Sequence, residues 1–145
     1  MKVSDILLVK GGTLFTVTSD QPLAEAVNTM AERDIGSLVV MDKGQITGML
    51  TFREVILAVV KNAGTLGATL VGSVMDASPL TCTPDTEIDE VRRMMLGRHA
   101  RYMPVLTQHT LMGVISFYDA ANGRAVRFTE VGDAKESAEG AAGHA

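Results

Sequence analysis

Apolar side chains recur along this chain with the periods of both helix and strand. Leu23, Ala26, Val27, Met30 and Ala31 fall at i, i+3, i+4, i+7 and i+8, the spacing that lines one face of an α-helix. The turn Ser19-Asp20-Gln21-Pro22 opens it, since proline is tolerated in a first helical turn, and Gly36 is expected to break it. Leu38, Val39, Val40 and Met41 then form an unbroken apolar run of strand length. Asp42-Lys43-Gly44 makes a turn, and a second strand runs from Ile46 through Leu50 to Thr51. With the short extended segment Thr16 to Thr18 before the helix and a helical stretch Phe52 to Val60 after the strands, the order is strand, helix, strand, strand, helix.

The same pattern is written a second time. Residues 16–55 align with residues 81–120 at a constant offset of 65, without a gap, and nine of the forty pairs are identical. These are Thr16/Thr81, Thr18/Thr83, Asp20/Asp85, Glu25/Glu90, Met30/Met95, Arg33/Arg98, Val40/Val105, Gly48/Gly113 and Phe52/Phe117. The second copy predicts an extended segment Thr81 to Thr83, a helix around Ile88, Val91, Met94 and Met95, and strands at Met103 to Leu106 and Leu111 to Ser116. Pro104 replaces Val39, and because proline cannot donate to a ladder this strand is expected to be short. Val3, Ile6 and Leu7 echo Val71, Val74 and Met75, so each copy is expected to begin with its own helical turn. A duplicated unit that cannot bury its own apolar face stacks on its twin, and the seam is a natural place for a shared ligand. Repeat 1 then spans about 1–62 and repeat 2 about 70–124, within one domain over 1–128. Lys61 to Leu70, with Gly64 and Gly67, reads as a mobile link, and the Gly/Ala/Glu-rich stretch 129–145 as a disordered acidic tail.

The helix at Phe52 to Val60 is anomalous. Val55, Ile56, Leu57, Ala58, Val59 and Val60 leave it no polar face in its second half, whereas a helix on one side of a small domain needs one. A second copy of the chain packed against this helix is the economical cover, with Ile56 and Val59 in the contact.

Composition narrows the function classes. A chain of 145 residues with 46% hydrophobic content can bury on the order of 70% of its unfolded surface. Of the net charge of −4, Glu130, Asp133, Glu136 and Glu139 against Lys135 contribute −3, leaving about −1 for the folded part, and nothing in this balance suggests the basic face that nucleic acid needs. The apolar run Ile6 to Val9 is too short for a signal peptide or a membrane span. Cys82 is the single cysteine, which fits a reducing, cytoplasmic setting and a small buried thiol. His99, His109 and His144 have no metal-ligand spacing. Met94, Met95, Met103 and Met112 suit adaptable core packing, and Gly11-Gly12 lacks the lysine of a phosphate loop and reads as a flexible bend.

The leading Val-x-x-Ile-Leu and Val-x-x-Val-Met turns, the Thr-x-Thr segments before an acidic turn, and the glycine-led last strand ending in Thr or Ser together resemble a CBS pair. This is the tandem regulatory module named after cystathionine β-synthase, and the resemblance covers about residues 1–124. It implies an α/β fold of two β-α-β-β-α repeats with pseudo-twofold symmetry. Between the repeats, clefts in this family bind adenosine-containing ligands such as AMP, ATP, NAD(H) or S-adenosylmethionine.

Within Gly113-Val114-Ile115-Ser116-Phe117-Tyr118-Asp119, the resemblance directs the Ser116 hydroxyl to phosphate and the Asp119 carboxylate to the ribose. A carboxylate can accept from both vicinal hydroxyls, and the start of the following helix offers amide donors to an anion. Thr51-x-x-Glu54 and Ser116-x-x-Asp119 equally read as capping boxes that end a strand and start a helix. Glu54, longer than the family's aspartate, fits the cap better and crowds a ribose. Arg53 beside it is suited to a phosphate instead, so two unequal sites are expected, the second more competent. The resemblance adds Thr16, Val17, Thr18, Thr81, Cys82 and Thr83 on the strand near the adenine, and Tyr102, Met103 and Pro104 along the base pocket. Arg98, His99 and Arg101 cluster at a helix end, where the dipole favours cations, with phosphate contact the minor alternative. With no nucleophile, base pair or metal site legible, the expectation is a stand-alone, non-enzymatic homodimer without a resident cofactor. It would take up an adenine nucleotide and pass its occupancy to a protein partner.

Overall fold

The computed structural model describes residues 1–7 and 14–122; the Gly11-Gly12 bend, His144 and the acidic tail lie outside these. The chain divides into two compact units. One runs Phe15–Ser78, and the other joins the N-terminal residues to the chain from Pro79 onward.

In the first unit, β1 (Thr16–Val17) lies parallel to β2 (Ser37–Asp42), which pairs antiparallel with β3 (Gln45–Thr51). Lys43 and Gly44 join β2 to β3 with φ of 53° and 78°, the left-handed pair that matches strand twist in a two-residue hairpin. The predicted apolar stripe becomes α2 (Leu23–Arg33), which buries Leu23, Ala26 and Met30 and leaves Ala31 outside. This helix stops at Asp34, two residues before Gly36, because Asp34 adopts φ 56° and donates its N–H to the Met30 carbonyl. The predicted last helix is α3 (Phe52–Lys61). The link after it is pinned, not loose: Asn62 Nδ2 donates to the Ala58 carbonyl at 2.9 Å and to Thr69 Oγ1 at 3.1 Å.

In the second unit, α5 (Ile88–Arg98) buries Ile88, Val91 and Met95, and β4 (Tyr102–Thr107) pairs with β5 (Thr110–Ser116) before α6 (Phe117–Asn122). The correspondence with the first copy extends to irregularities. Both hairpins shift register at the aligned positions Val40/Met41 and Val105/Leu106, and His99 ends α5 at φ 55° as Asp34 ends α2.

Proline does not shorten β4, which has six residues, as β2 does. Its effect falls on the parallel edge instead. β1 pairs Thr16 with Val39 and Val17 with Val40, whereas the second copy keeps only the bridge Cys82↔Val105. The missing pair is the one in which Pro104, lacking an N–H, stands for Val39. The predicted strand Thr81 to Thr83 is therefore reduced to one bridged residue.

The leading turns are exchanged. α4 (Val71–Val74) follows the first copy in sequence and belongs to that unit, where Val71 N donates to Gln21 O (2.9 Å), Gly72 N to Ser19 O (2.8 Å) and Leu23 N to Thr69 O (2.8 Å). α1 (Val3–Leu7) makes the equivalent bonds in the second copy: Val3 N to Thr86 O (2.9 Å), Ser4 N to Pro84 O (2.8 Å) and Ile88 N to Met1 O (2.9 Å). Val3 and Ile6 accordingly sit in one core with Val91, Met95, Met103 and Ile115. Each copy is thus completed by the turn that precedes the other copy in the sequence.

The exchanged segments explain the paired glycines. A Cβ on Gly48 would stand 2.7 Å from the Asp76 carbonyl oxygen and 2.8 Å from Met75 Sδ, because Met49 and Asp76 exchange two backbone bonds of 2.9 Å. A Cβ on Gly113 would meet only the end of the Leu7 side chain, at 2.9 Å. Backbone cannot step aside and a leucine methyl can. Gly48→Ala is expected to cost ~1–3 kcal/mol in urea denaturation and Gly113→Ala less than about 1; equal costs would contradict this packing.

Candidate functional site

At the end of β3 the chain turns into α3 through Thr51. Its N–H donates to Glu54 Oε1 at 2.8 Å, its hydroxyl donates to the same oxygen at 2.6 Å, and its Oγ1 accepts from Arg53 N at 3.2 Å. Arg53 Nη1 stands 3.7 Å from the other carboxylate oxygen. The capping box expected from Thr51-x-x-Glu54 is therefore closed, and both Glu54 oxygens are engaged.

The second copy repeats the device with a shorter acid. Ser116 N donates to Asp119 Oδ2 at 3.1 Å and Asp119 N donates to Ser116 Oγ at 3.0 Å, so Ser116 spends its oxygen as an acceptor and keeps its hydrogen to donate. Asp119 is 0% exposed, against 8% for Glu54. The capping alternative is thus realised in both copies, and a cap in itself neither requires nor forbids a ligand.

Three of the remaining candidates lie on the hairpin that ends at Ser116. Tyr102 pairs with Ser116 across the hairpin, Met103 with Ile115 and Pro104 with Val114, while Cys82 N donates to the Pro104 carbonyl at 3.1 Å. Burial raises the Tyr102 hydroxyl pKa above its ordinary value; the Arg101 charge opposes that shift and the Asp119 charge adds to it. Burial also pushes the Cys82 thiol up to about 12, so it remains a neutral, apolar neighbour at physiological pH. Met103 is fully buried in the core, which leaves its backbone as the only part able to meet a ligand. Thr81 and Thr83 flank Cys82 and are exposed, and the Thr83 hydroxyl is used locally with Thr86 and Asp85 N. In the first copy Thr16 is exposed, Val17 is buried in β1, and the Thr18 hydroxyl donates to Asp20.

One cation has a different setting from that expected. Arg101 reads in sequence as part of a basic helix end; in the structure its carbonyl accepts Phe117 N at 2.7 Å and its exposed side chain lies within electrostatic range of Tyr102. The first copy has Gly36 at the aligned position. Register supplies the signal, since Arg101 immediately precedes the residue paired with Ser116. Among the described residues no cluster of His, Cys, Asp and Glu is placed to hold a metal ion, and no helix is long and apolar enough to cross a membrane.

A mixed α/β fold with two copies of one strand-helix-hairpin-helix unit, each with a hydroxyl–acid cap before its last helix, defines a tandem-repeat protein. The chain belongs to the CBS domain family, whose model matches residues 3–61 and 71–124. It is 28% identical over 106 residues to the CBS domain-containing protein YhcV of Bacillus subtilis, covering 73% of this chain and 75% of that protein. The crystal structure of a CBS-domain containing protein from Agrobacterium tumefaciens superposes with a TM-score of 0.79 at 30% identity, covering 85% of this chain and 98% of that one. The crystal structure of CBSX2 in complex with AMP has the same fold, with a TM-score of 0.70 at 19% identity over 84% of this chain and 94% of that one.

Proposed function

We propose that this chain is a regulatory module that takes up an adenine nucleotide at the face of the second unit carrying Asp119. The observation that carries this reading is that one hairpin brings Tyr102 and Pro104 to the strand end where Ser116 is bonded to Asp119, with the Cys82 backbone bridged to the same strand. The complex of CBSX2 with AMP, a protein of the same fold, supports the ligand class. Asp119 would accept from the ribose hydroxyls, the Ser116 hydrogen would go to a phosphate, and exposed Arg101 would offset phosphate charge. The first copy would be the weaker site, because Glu54 is the longer acid and would crowd a ribose where Asp119 would not. A ligand changes such a module only by binding two arrangements of it unequally, and that difference is what a partner protein would sense. The chemistry is binding, without catalysis, in a cytoplasmic homodimer associated through α3.

The closed caps favour a second reading, an interaction scaffold that binds no nucleotide. A thermal-shift panel of AMP, ATP, NAD(H) and S-adenosylmethionine separates the two. A ligand at about 100 times its dissociation constant stabilises by about 2.7 kcal/mol, which raises the midpoint of a chain of this size by roughly 10 °C. No shift with any of them would leave the scaffold.

A further inference from the structure

The two acid-bearing helices are held differently. The placement of Asp119 depends on what grips α6 on either side of it. Its N-terminal end is closed by the Ser116/Asp119 pair. On its other side Arg92, from the middle of α5, donates Nε–H to the Ala120 carbonyl at 2.7 Å, and Arg92 Nη1 is paired with Asp89 one turn earlier. Ala120 itself is fully buried against the α5 core residues Ile88, Val91 and Met95.

The first copy has no counterpart. Positions aligned with Asp89, Arg92 and Ala120 are Ala24, Val27 and Val55, so neither a donor nor its orienting acid is present. The brace exists only in the copy whose acid is the short Asp119. A planar guanidinium oriented by a carboxylate fixes an acceptor in direction as well as distance, which a lysine or an apolar contact does less well. Two further arginines on the same helix, Arg93 and Arg98, are exposed to solvent.

We propose that Arg92, aligned by Asp89, is a positioning residue that holds α6, and with it the Asp119 carboxylate, in ligand-ready register. Its link to binding rests on the nucleotide reading above, while its mechanical part does not. Arg92→Met keeps the apolar stem and removes the donors; Arg92→Lys restores a cation able to reach the carbonyl.

Hydrogen exchange on the ligand-free protein tests the mechanical part. Amides of Asp119 to Asn122 are expected to exchange about tenfold faster in Arg92→Met, those of α5 to change little, and Arg92→Lys to recover much of the protection. Unchanged exchange in Arg92→Met would overturn the proposal whatever the protein binds. Calorimetric titration with AMP and with S-adenosylmethionine tests the consequence: affinity about tenfold weaker in Arg92→Met, with recovery in Arg92→Lys. Wild-type binding that Arg92→Met leaves within about twofold also overturns it. If wild type binds neither probe, the nucleotide reading fails, and the exchange result alone decides whether Arg92 positions the helix.

Discussion

Asp119→Asn is expected to keep the protein folded and to remove most of its response to adenine nucleotides. The amide oxygen can still accept from Ser116 N, so the cap that the carboxylate forms at 3.1 Å is largely retained. What is lost is the charge, and bonds to a charged acceptor contribute ~1.5–3 kcal/mol against ~1 for neutral ones. With two ribose hydroxyls involved, affinity should fall by roughly 10- to 100-fold, measured by calorimetry beside the thermal shift. Asp119→Ala removes the cap as well and should cost a further ~0.5–2 kcal/mol of stability without ligand. Glu54→Gln is the internal control. The first-copy acid is engaged by Thr51 and Arg53, so its loss should move stability by a similar small amount and nucleotide affinity hardly at all. An Asp119→Asn protein that binds like wild type would remove the carboxylate from the sugar.

In the homodimer proposed above, charge placed on the outer face of α3 is expected to yield monomers. Phe52, Ile56 and Val60 stand at i, i+4 and i+8 on that helix and are 57%, 61% and 73% exposed, with Leu57 beside them. Large apolar side chains in such a row on one helix call for a covering partner. Val59, expected from sequence to share this face, is half-buried, and Val60 takes its place. Removing an Ile or Val side chain from water contributes ~1.5–3 kcal/mol, so Ile56→Glu with Val60→Glu should weaken a dimer by at least about 10²-fold. Sedimentation velocity against concentration would show it. Neither residue is in the core of its own unit, so the double variant should retain its fold. A dimer of unchanged strength would mean that α3 faces something other than a second copy.

Most of the fold was legible because each copy repeats its burial pattern, and a face that must be buried twice is written twice. The stripe Leu23, Ala26, Met30, the buried run Leu38 to Val40 and the cap Thr51-x-x-Glu54 each have a local cause within a few residues. What escaped depends on neighbours far along the chain. Pro104 looked like a strand breaker, yet its missing N–H falls on the parallel edge, which only the register with Cys82 reveals. Glycine spacing suggested a loose link after α3, whereas Asn62 ties it down with bonds to Ala58 and Thr69. The candidate site was legible as chemistry but not as geometry. Sequence offers capping and ribose contact as alternatives for the same carboxylate, and it gives no sign that Arg92 reaches a carbonyl 28 positions away.

The crossed-over helical turns bear on how such a protein arose. A single ancestral copy, translated alone, would own a turn it could not use and lack the one it required, with the seats for Val3 and Val71 standing open. Two identical chains would satisfy both needs by trading turns, so a reciprocal pair of half-length chains could have preceded the fused gene. Joining such chains end to end would leave each exchanged turn in its seat and convert a concentration-dependent partnership into an intramolecular one.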